Sequence, residues 1–160
     1  SSDVCSSDLR FSLHFTFIYA TINVGNIIKF EREFLTMKMA HTCVRVKDLE
    51  ASLDFYQKAF NFEESRRRDF PENKFTLVYL TLPGDDYELE LTYNYDHEAY
   101  DLGNGYGHIA ISTDDLEGLH EKHQAAGLTV TDLKGLPGTA PSYYFVVDPD
   151  GYKIEVIRER

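Results

Sequence analysis

At 160 residues, with 42% hydrophobic and 14% aromatic content, the chain has enough apolar material for one ordinary core. A formal net charge of −11 argues against nucleic acid as a partner, and an anionic substrate would need a locally positive pocket. No stretch approaches the ~18 apolar residues of a membrane helix, and Cys5 and Cys43 make no disulfide framework, so a reducing cytoplasm is the expected compartment.

The first 36 residues read as foreign to the domain. The chain opens with Ser, and "DVCSSDL" at 3–9 resembles a translated sequencing adapter. Phe11–Phe30 is rich in Phe, Ile, Tyr, Asn and Lys, as translated AT-rich DNA would be. Glu31-Arg32-Glu33 could be encoded by a ribosome-binding sequence shortly before Met37. Residues 1–36 are therefore expected to be a non-native or disordered extension, with the native start at Met37 or Met39. A signal peptide is the weaker alternative, because no small-x-small cleavage site precedes Met37.

From residue 39 the hydrophobic period switches as a βαβββ unit requires. Residues 40–46 alternate as a strand. Asp48 caps a helix over 49–60, whose apolar stripe is Leu49, Leu53, Tyr56 and Phe60. Strands are expected at 62–69, 74–82 and 87–94, with turns at Pro71-Glu72-Asn73 and Pro83-Gly84-Asp85-Asp86. A linker over 95–106 is rich in Tyr, Asp and Gly. The order then repeats: a strand at 107–113, a helix at 115–125 capped by Asp114 or Asp115, and Gly127 as its stop. Strands follow at 128–132, 142–147 and 152–158, the last two joined by the turn Asp148-Pro149-Asp150-Gly151.

The repeat extends to chemistry. "HTCVRVKDLE" at 41–50 aligns with "HIAISTDDLE" at 108–117, and "DYELEL" at 86–91 with "GYKIEV" at 151–156. His41 and Glu90 thus recur, at nearly equal spacing, as His108 and Glu155. A single strand Glu is usually solvated and a single strand His is usually hydrogen-bonded. Four such residues at equivalent places of a repeat point to a metal site of two imidazoles and two carboxylates. Nitrogen and oxygen donors without thiolate suit a borderline-to-hard divalent ion. Side chains alternate along strands, so His41, Cys43 and Arg45 share one face, and Glu90, Thr92 and Asn94 share another. His120 and His123, at i and i+3 on the second helix, are expected on a solvated face. Cys43 reads as a small core residue or pocket wall, and Arg66-Arg67-Arg68 as a solvated charge run.

At these residues the chain resembles glyoxalase I, also called lactoylglutathione lyase, of the vicinal oxygen chelate superfamily. The phrases that carry the resemblance are "HTCVRVKDLEASLDFYQKAFNF", "DFPENKFTLVYL", "ELELTYNY", "LGNGYGHIAI" and "DPDGYKIEV", and together they span 39–158. The resemblance implies an α+β fold of two βαβββ modules, 39–94 and 107–158, with curved mixed sheets around a metal. It implies a homodimer with active sites between subunits. His41, Glu90, His108 and Glu155 fall on the family's metal-ligand positions, and Arg45 and Asn94 on positions that hold glutathione. A histidine as first ligand and a short core are similar to the class activated by Ni²⁺ or Co²⁺ rather than to the Zn²⁺ class.

The implied reaction isomerises the methylglyoxal–glutathione hemithioacetal to S-lactoylglutathione through an enediolate, with Glu155 as base and Glu90 as its counterpart. One loop departs from the pattern. Where many members place a Lys, "GLPGTAPSYYF" has Pro137, with Lys134 three residues earlier; this bears on the thiol rather than on the metal. The competing readings are another enzyme of the superfamily, such as an acyl-coenzyme A epimerase, and a metal-free drug-sequestering protein, which has no need of all four ligands.

Overall fold

The computed structural model describes residues 37–159, and the expectation for residues 1–36 lies outside them. Module one is β1 (His41–Val46), α1 (Leu49–Phe60), β2 (Glu63–Phe70), a 3₁₀ turn (Pro71–Asn73), β3 (Phe75–Thr81) and β4 (Glu88–Asn94). Module two is β5 (Ile109–Thr113), α2 (Leu116–Ala125), β6 (Tyr143–Val147) and β7 (Lys153–Arg158). The sheets run β1-β4-β3-β2 and β5-β7-β6, each with one parallel pair, β1 with β4 and β5 with β7.

Local chemistry sets the helices. The Asp48 carboxylate accepts the Ala51 N–H at 3.0 Å, and Asp115 accepts that of Gly118 at 3.0 Å, so each helix is capped by its own aspartate. Asn61 closes α1 at φ 60°, with the Asn61 and Phe62 amides bonded to the Gln57 and Tyr56 carbonyls, a left-handed stop that Asn tolerates. Gly127, at φ +73°, does the same after α2.

One expected strand is replaced. Residues 128–132 form no strand; this stretch has only a bridge between Val130 and Val146, and Lys134 bridges Tyr143 further on. Continuous pairing would need an unbroken ladder beside β6, but Thr131 turns its hydroxyl onto the Phe145 amide and its carbonyl onto His120.

The core is continuous across both modules. Val44, Val46, Tyr56, Val78 and Leu91 from module one pack with Leu116, Tyr144, Val146, Ile154 and Val156 from module two. β1 alternates strictly, with Val44 and Val46 buried and His41, Cys43 and Arg45 exposed. β2 is exposed along nearly its whole length, and its EESRRRD run charges the free edge against pairing with another sheet.

His120 and His123 correct the expectation of a solvated face. They are 7% and 2% exposed. With Leu116 they occupy i, i+4 and i+7, the buried stripe of α2. His123 Nε2 lies 2.8 Å from the Ala59 carbonyl, which can only accept, so Nε2 carries the proton. Its Nδ1 then accepts the Tyr144 hydroxyl at 3.0 Å. Burial holds this ring's pKa below the ordinary histidine value, against the lift from the Ala59 carbonyl. His123 is thus a neutral, satisfied part of the core that ties α2 to the end of α1, and His120 bonds the Thr131 carbonyl at 2.9 Å.

A second polar contact joins the modules at the Asp148-Pro149-Asp150-Gly151 turn. Asp148 accepts the Tyr56 hydroxyl at 2.9 Å, and Asp150 accepts the Lys47 amide at 2.9 Å and the Ser52 hydroxyl at 3.3 Å. The Tyr152 hydroxyl accepts the Arg45 amide at 3.2 Å. The turn that closes module two therefore holds the β1–α1 corner of module one, the corner that follows His41 and Arg45.

Candidate metal centre

Register explains why each His finds its Glu. In the parallel pair β1–β4, Cys43 lies opposite Glu90; in β5–β7, Ala110 lies opposite Glu155. His41 and His108 each stand two residues before that partner, so their side chains fall on the same face as the carboxylate. His41 Nε2 is 3.3 Å from Glu90 Oε2, and His108 Nε2 is 3.1 Å from Glu155 Oε2. The imidazoles are about two-fifths exposed, at 40% and 42%, and so remain open to a ligand.

Within one chain these stay two pairs. Among the described residues no three His, Cys, Asp or Glu side chains converge as a metal-binding group. The structure brings together His41 with Glu90 and His108 with Glu155, and it does not bring the four into one cluster.

The remaining candidates are placed as follows. Cys43 is an exposed free thiol on the His41 face rather than a core residue, as strand alternation requires. Its Sγ lies 3.2 Å from the Thr92 hydroxyl, and the partial desolvation of the sulfur on this otherwise exposed residue raises its pKa. Arg45 is exposed on the same face. Asn94, at the end of β4, donates to the Tyr100 hydroxyl at 2.8 Å. Arg66 is more than a solvated charge: its guanidinium sits 3.7 Å from the centre of the Tyr79 ring and pairs with Glu88 at 2.7 Å.

The model of the Glyoxalase/Bleomycin resistance protein/Dioxygenase superfamily matches residues 38–156. A lactoylglutathione lyase of Neisseria meningitidis serogroup A is 44% identical over 128 residues, 78% of this chain and 92% of the relative. The chain belongs to the glyoxalase I family.

Other members fit the same frame. The lactoylglutathione lyase of Escherichia coli O157:H7 is 41% identical over 127 residues, 78% of this chain and 94% of its own. Among solved structures, the trypanothione-dependent glyoxalase I of Leishmania major superposes with a TM-score of 0.70 at 36% identity, covering 78% of this chain and 88% of that one. The glyoxalase I of Zea mays superposes at 0.71 with 36% identity over 76% of this chain, and this chain spans 44% of the maize protein's length. As a glyoxalase, the chain has the α+β fold of its relatives, with two mixed sheets and few helices.

The sequence left one neighbour of this glyoxalase site unnamed. Tyr79, on β3, lies opposite Glu90 in the antiparallel β3–β4 pair and packs its ring edge-on to His41 at 5.7 Å. The signal is present only in the register of β3. Burial alone would raise the Glu90 pKa. The Thr92 hydroxyl, which donates to it at 2.9 Å, together with the nearby polar groups of Tyr79, Cys43 and His41, outweighs burial and holds the carboxyl below the usual range. Glu90 is thus favoured as a carboxylate, the state in which such a group can bind a cation.

Proposed function

We propose that this protein is a lactoylglutathione lyase, converting the methylglyoxal–glutathione hemithioacetal to S-lactoylglutathione. The observation that carries the reading is the pair of His–Glu contacts at the same register of two repeated modules, in a chain 44% identical to a curated lyase.

The donor set suits a divalent ion, and the resemblance of the His41 first ligand and short core to the Ni²⁺- or Co²⁺-activated class favours Ni²⁺. Two donors bound ~2.1 Å from one ion at a right angle stand about 3 Å apart, the spacing of both pairs. His41, Glu90, His108 and Glu155 would hold the metal, with Glu155 as the catalytic base and Glu90 as its counterpart on the opposite side. When bound, the ion supplies Lewis-acid polarisation of the substrate's oxygens.

The chain's own groups do the rest. Glu155 takes the proton from the carbon bearing sulfur and hydroxyl and returns it to the neighbouring carbonyl carbon. The hydroxyl proton passes to the other oxygen, so atoms balance and no oxidant is needed. Arg45 and Asn94 hold the glutathione moiety, with Arg45 offering a positive charge beside the His41 face of an otherwise anionic protein.

The active form in this reading is a cytoplasmic homodimer. Each chain contributes one His–Glu pair from module one to one site and one from module two to the other. The separation of the two pairs within a chain supports it, as does a free thiol at Cys43, which suits a reducing compartment. No helix among the described residues is long and apolar enough to cross a membrane.

The test is the absorbance of the thioester as methylglyoxal and glutathione are mixed with protein and added Ni²⁺. A rate well above the protein-free mixture is expected. No rate above background with Ni²⁺, Co²⁺, Mn²⁺ or Zn²⁺ would overturn the assignment.

A further inference from the structure

The two glutamates occupy equivalent places, but their neighbours have diverged in one direction. Three positions surround each: the residue opposite on the parallel strand, the residue opposite on the antiparallel strand, and the residue two further along the same strand. For Glu90 these are Cys43, Tyr79 and Thr92. For Glu155 they are Ala110, Phe145 and Ile157. Every group that can donate a hydrogen bond in module one is apolar in module two.

The equivalence is geometric as well as positional. Tyr79 packs edge-on to His41 at 5.7 Å, and Phe145 packs edge-on to His108 at 5.5 Å. The same ring survives in both modules; only the hydroxyl differs.

The consequence for the carboxylates is direct. Glu90 Oε1 accepts the Thr92 hydroxyl at 2.9 Å while Oε2 faces His41. One oxygen is tied into the sheet and the other is presented. Thr92 is itself in contact with the Cys43 thiol, and Tyr79 is fixed under the Arg66 guanidinium. Glu155 Oε2 faces His108, and no side-chain hydroxyl, thiol or amide among the described residues bonds to Glu155. A carboxylate tied into the sheet by a hydroxyl, as Glu90 is by Thr92, gives up that interaction when it swings away, and Glu155 has no such hydroxyl to leave.

We propose that Thr92, Tyr79 and Cys43 are positioning residues that fix Glu90 as a permanent ligand, and that Ala110, Phe145 and Ile157 leave Glu155 free to move a proton. The division of labour between the two carboxylates is thus written into the apolar half of the repeat. This rests on the lyase reading above and names the groups that would make its two glutamates unequal.

The experiment exchanges the two environments. One protein carries Thr92→Val with Tyr79→Phe, stripping the donors from Glu90; another carries Phe145→Tyr with Ile157→Thr, supplying them to Glu155. Ni²⁺ affinity of the metal-free full chain is measured by competition with a chromophoric chelator, and kcat and KM are measured separately. Loss of outer groups that orient a ligand weakens metal binding about 10- to 100-fold, and that loss is expected in the first protein. The second is expected to hold Ni²⁺ at least as tightly as the starting protein. Its kcat should fall about tenfold, the scale of one hydrogen bond to a charged group, with KM little changed.

If the double variant does not fold, Thr92→Val alone decides the matter: its Ni²⁺ affinity should fall, Thr92→Ser, which keeps the hydroxyl, should retain it, and unchanged affinity in Thr92→Val overturns the proposal. Unchanged Ni²⁺ affinity in the stripped protein, or unchanged kcat in the supplied one, overturns the proposal. If the starting protein binds Ni²⁺ but turns over no hemithioacetal, the lyase reading falls, and the affinity measurements still judge the positioning of Glu90.

Discussion

Glu155 and Glu90 differ by their surroundings rather than by their chemistry. Glu155, 19% exposed in its side chain, faces His108 at 3.1 Å and has no side-chain hydroxyl, thiol or amide among the described residues bonded to it, so it can rotate without breaking such a bond. Glu155→Gln keeps an oxygen donor toward the metal but removes the basic lone pair. Turnover should fall by ~10²–10⁴, the usual contribution of a general base, while much of the bound Ni²⁺ is retained. Metal content by mass spectrometry alongside the thioester assay checks this. Turnover near the starting level would remove Glu155 from the role of base. The buried histidines show the other outcome for this residue type. His123, bonded at both nitrogens within the core, is kept neutral and has no lone pair to offer a metal.

At the scale of elements, the Asp148-Pro149-Asp150-Gly151 turn carries the contact between modules and an electrostatic cost. Burial pushes the Asp148 carboxyl up to about 6; the Tyr56 hydroxyl and the Tyr152 amide pull it down, and Asp150 raises it further. A carboxyl whose pKa is higher folded than unfolded binds its proton more readily in the folded chain. Its ionisation therefore costs stability as pH rises from about 4 through about 6, and the cost is absent below that range. An Asn at this position can accept the two backbone N–H groups on its oxygen and donate to Tyr56 from its nitrogen. Asp148→Asn is expected to be more stable than the starting protein at pH 7, by up to about 3 kcal/mol, with the difference closing near pH 4. Thermal unfolding at the two pH values checks it. A variant less stable at pH 7 than the starting protein would show that the anion is the form the fold uses.

At the scale of the whole molecule, the proposed four-ligand site needs the two pairs to meet. In a two-fold dimer with sites at the interface, module one of one protomer faces module two of the other. A chain with His41→Ala keeps an intact second pair, and a chain with His108→Ala keeps an intact first pair. Each alone is expected to be inactive. Refolded together, randomly assorted chains should recover roughly a quarter of full activity, because half the dimers are mixed and each mixed dimer holds one intact site. A site built within one chain would give no recovery on mixing, so the thioester assay on the mixture decides between the two.

The amino-acid sequence by itself determined the repeat, both helices with their aspartate caps, the DPDG turn and the identity of the His–Glu pairs. These are local matters: a cap lies three residues from the amide it satisfies, and a period-two pattern shows which side chains share a face. The sequence could not show that Tyr79 stands opposite Glu90, because register across antiparallel strands is set by the packing of both faces. Nor could it place His120 and His123 inside, since an imidazole reads as polar until a carbonyl and a tyrosine hydroxyl are found at its nitrogens. The strand expected at 128–132 stopped at an isolated bridge to β6, because the Thr131 carbonyl is taken by His120, a contact from a distant part of the chain. Only tertiary structure decided which hydroxyls surround each carboxylate and that the two pairs stay separate within one chain, because both depend on contacts between residues far apart in the chain.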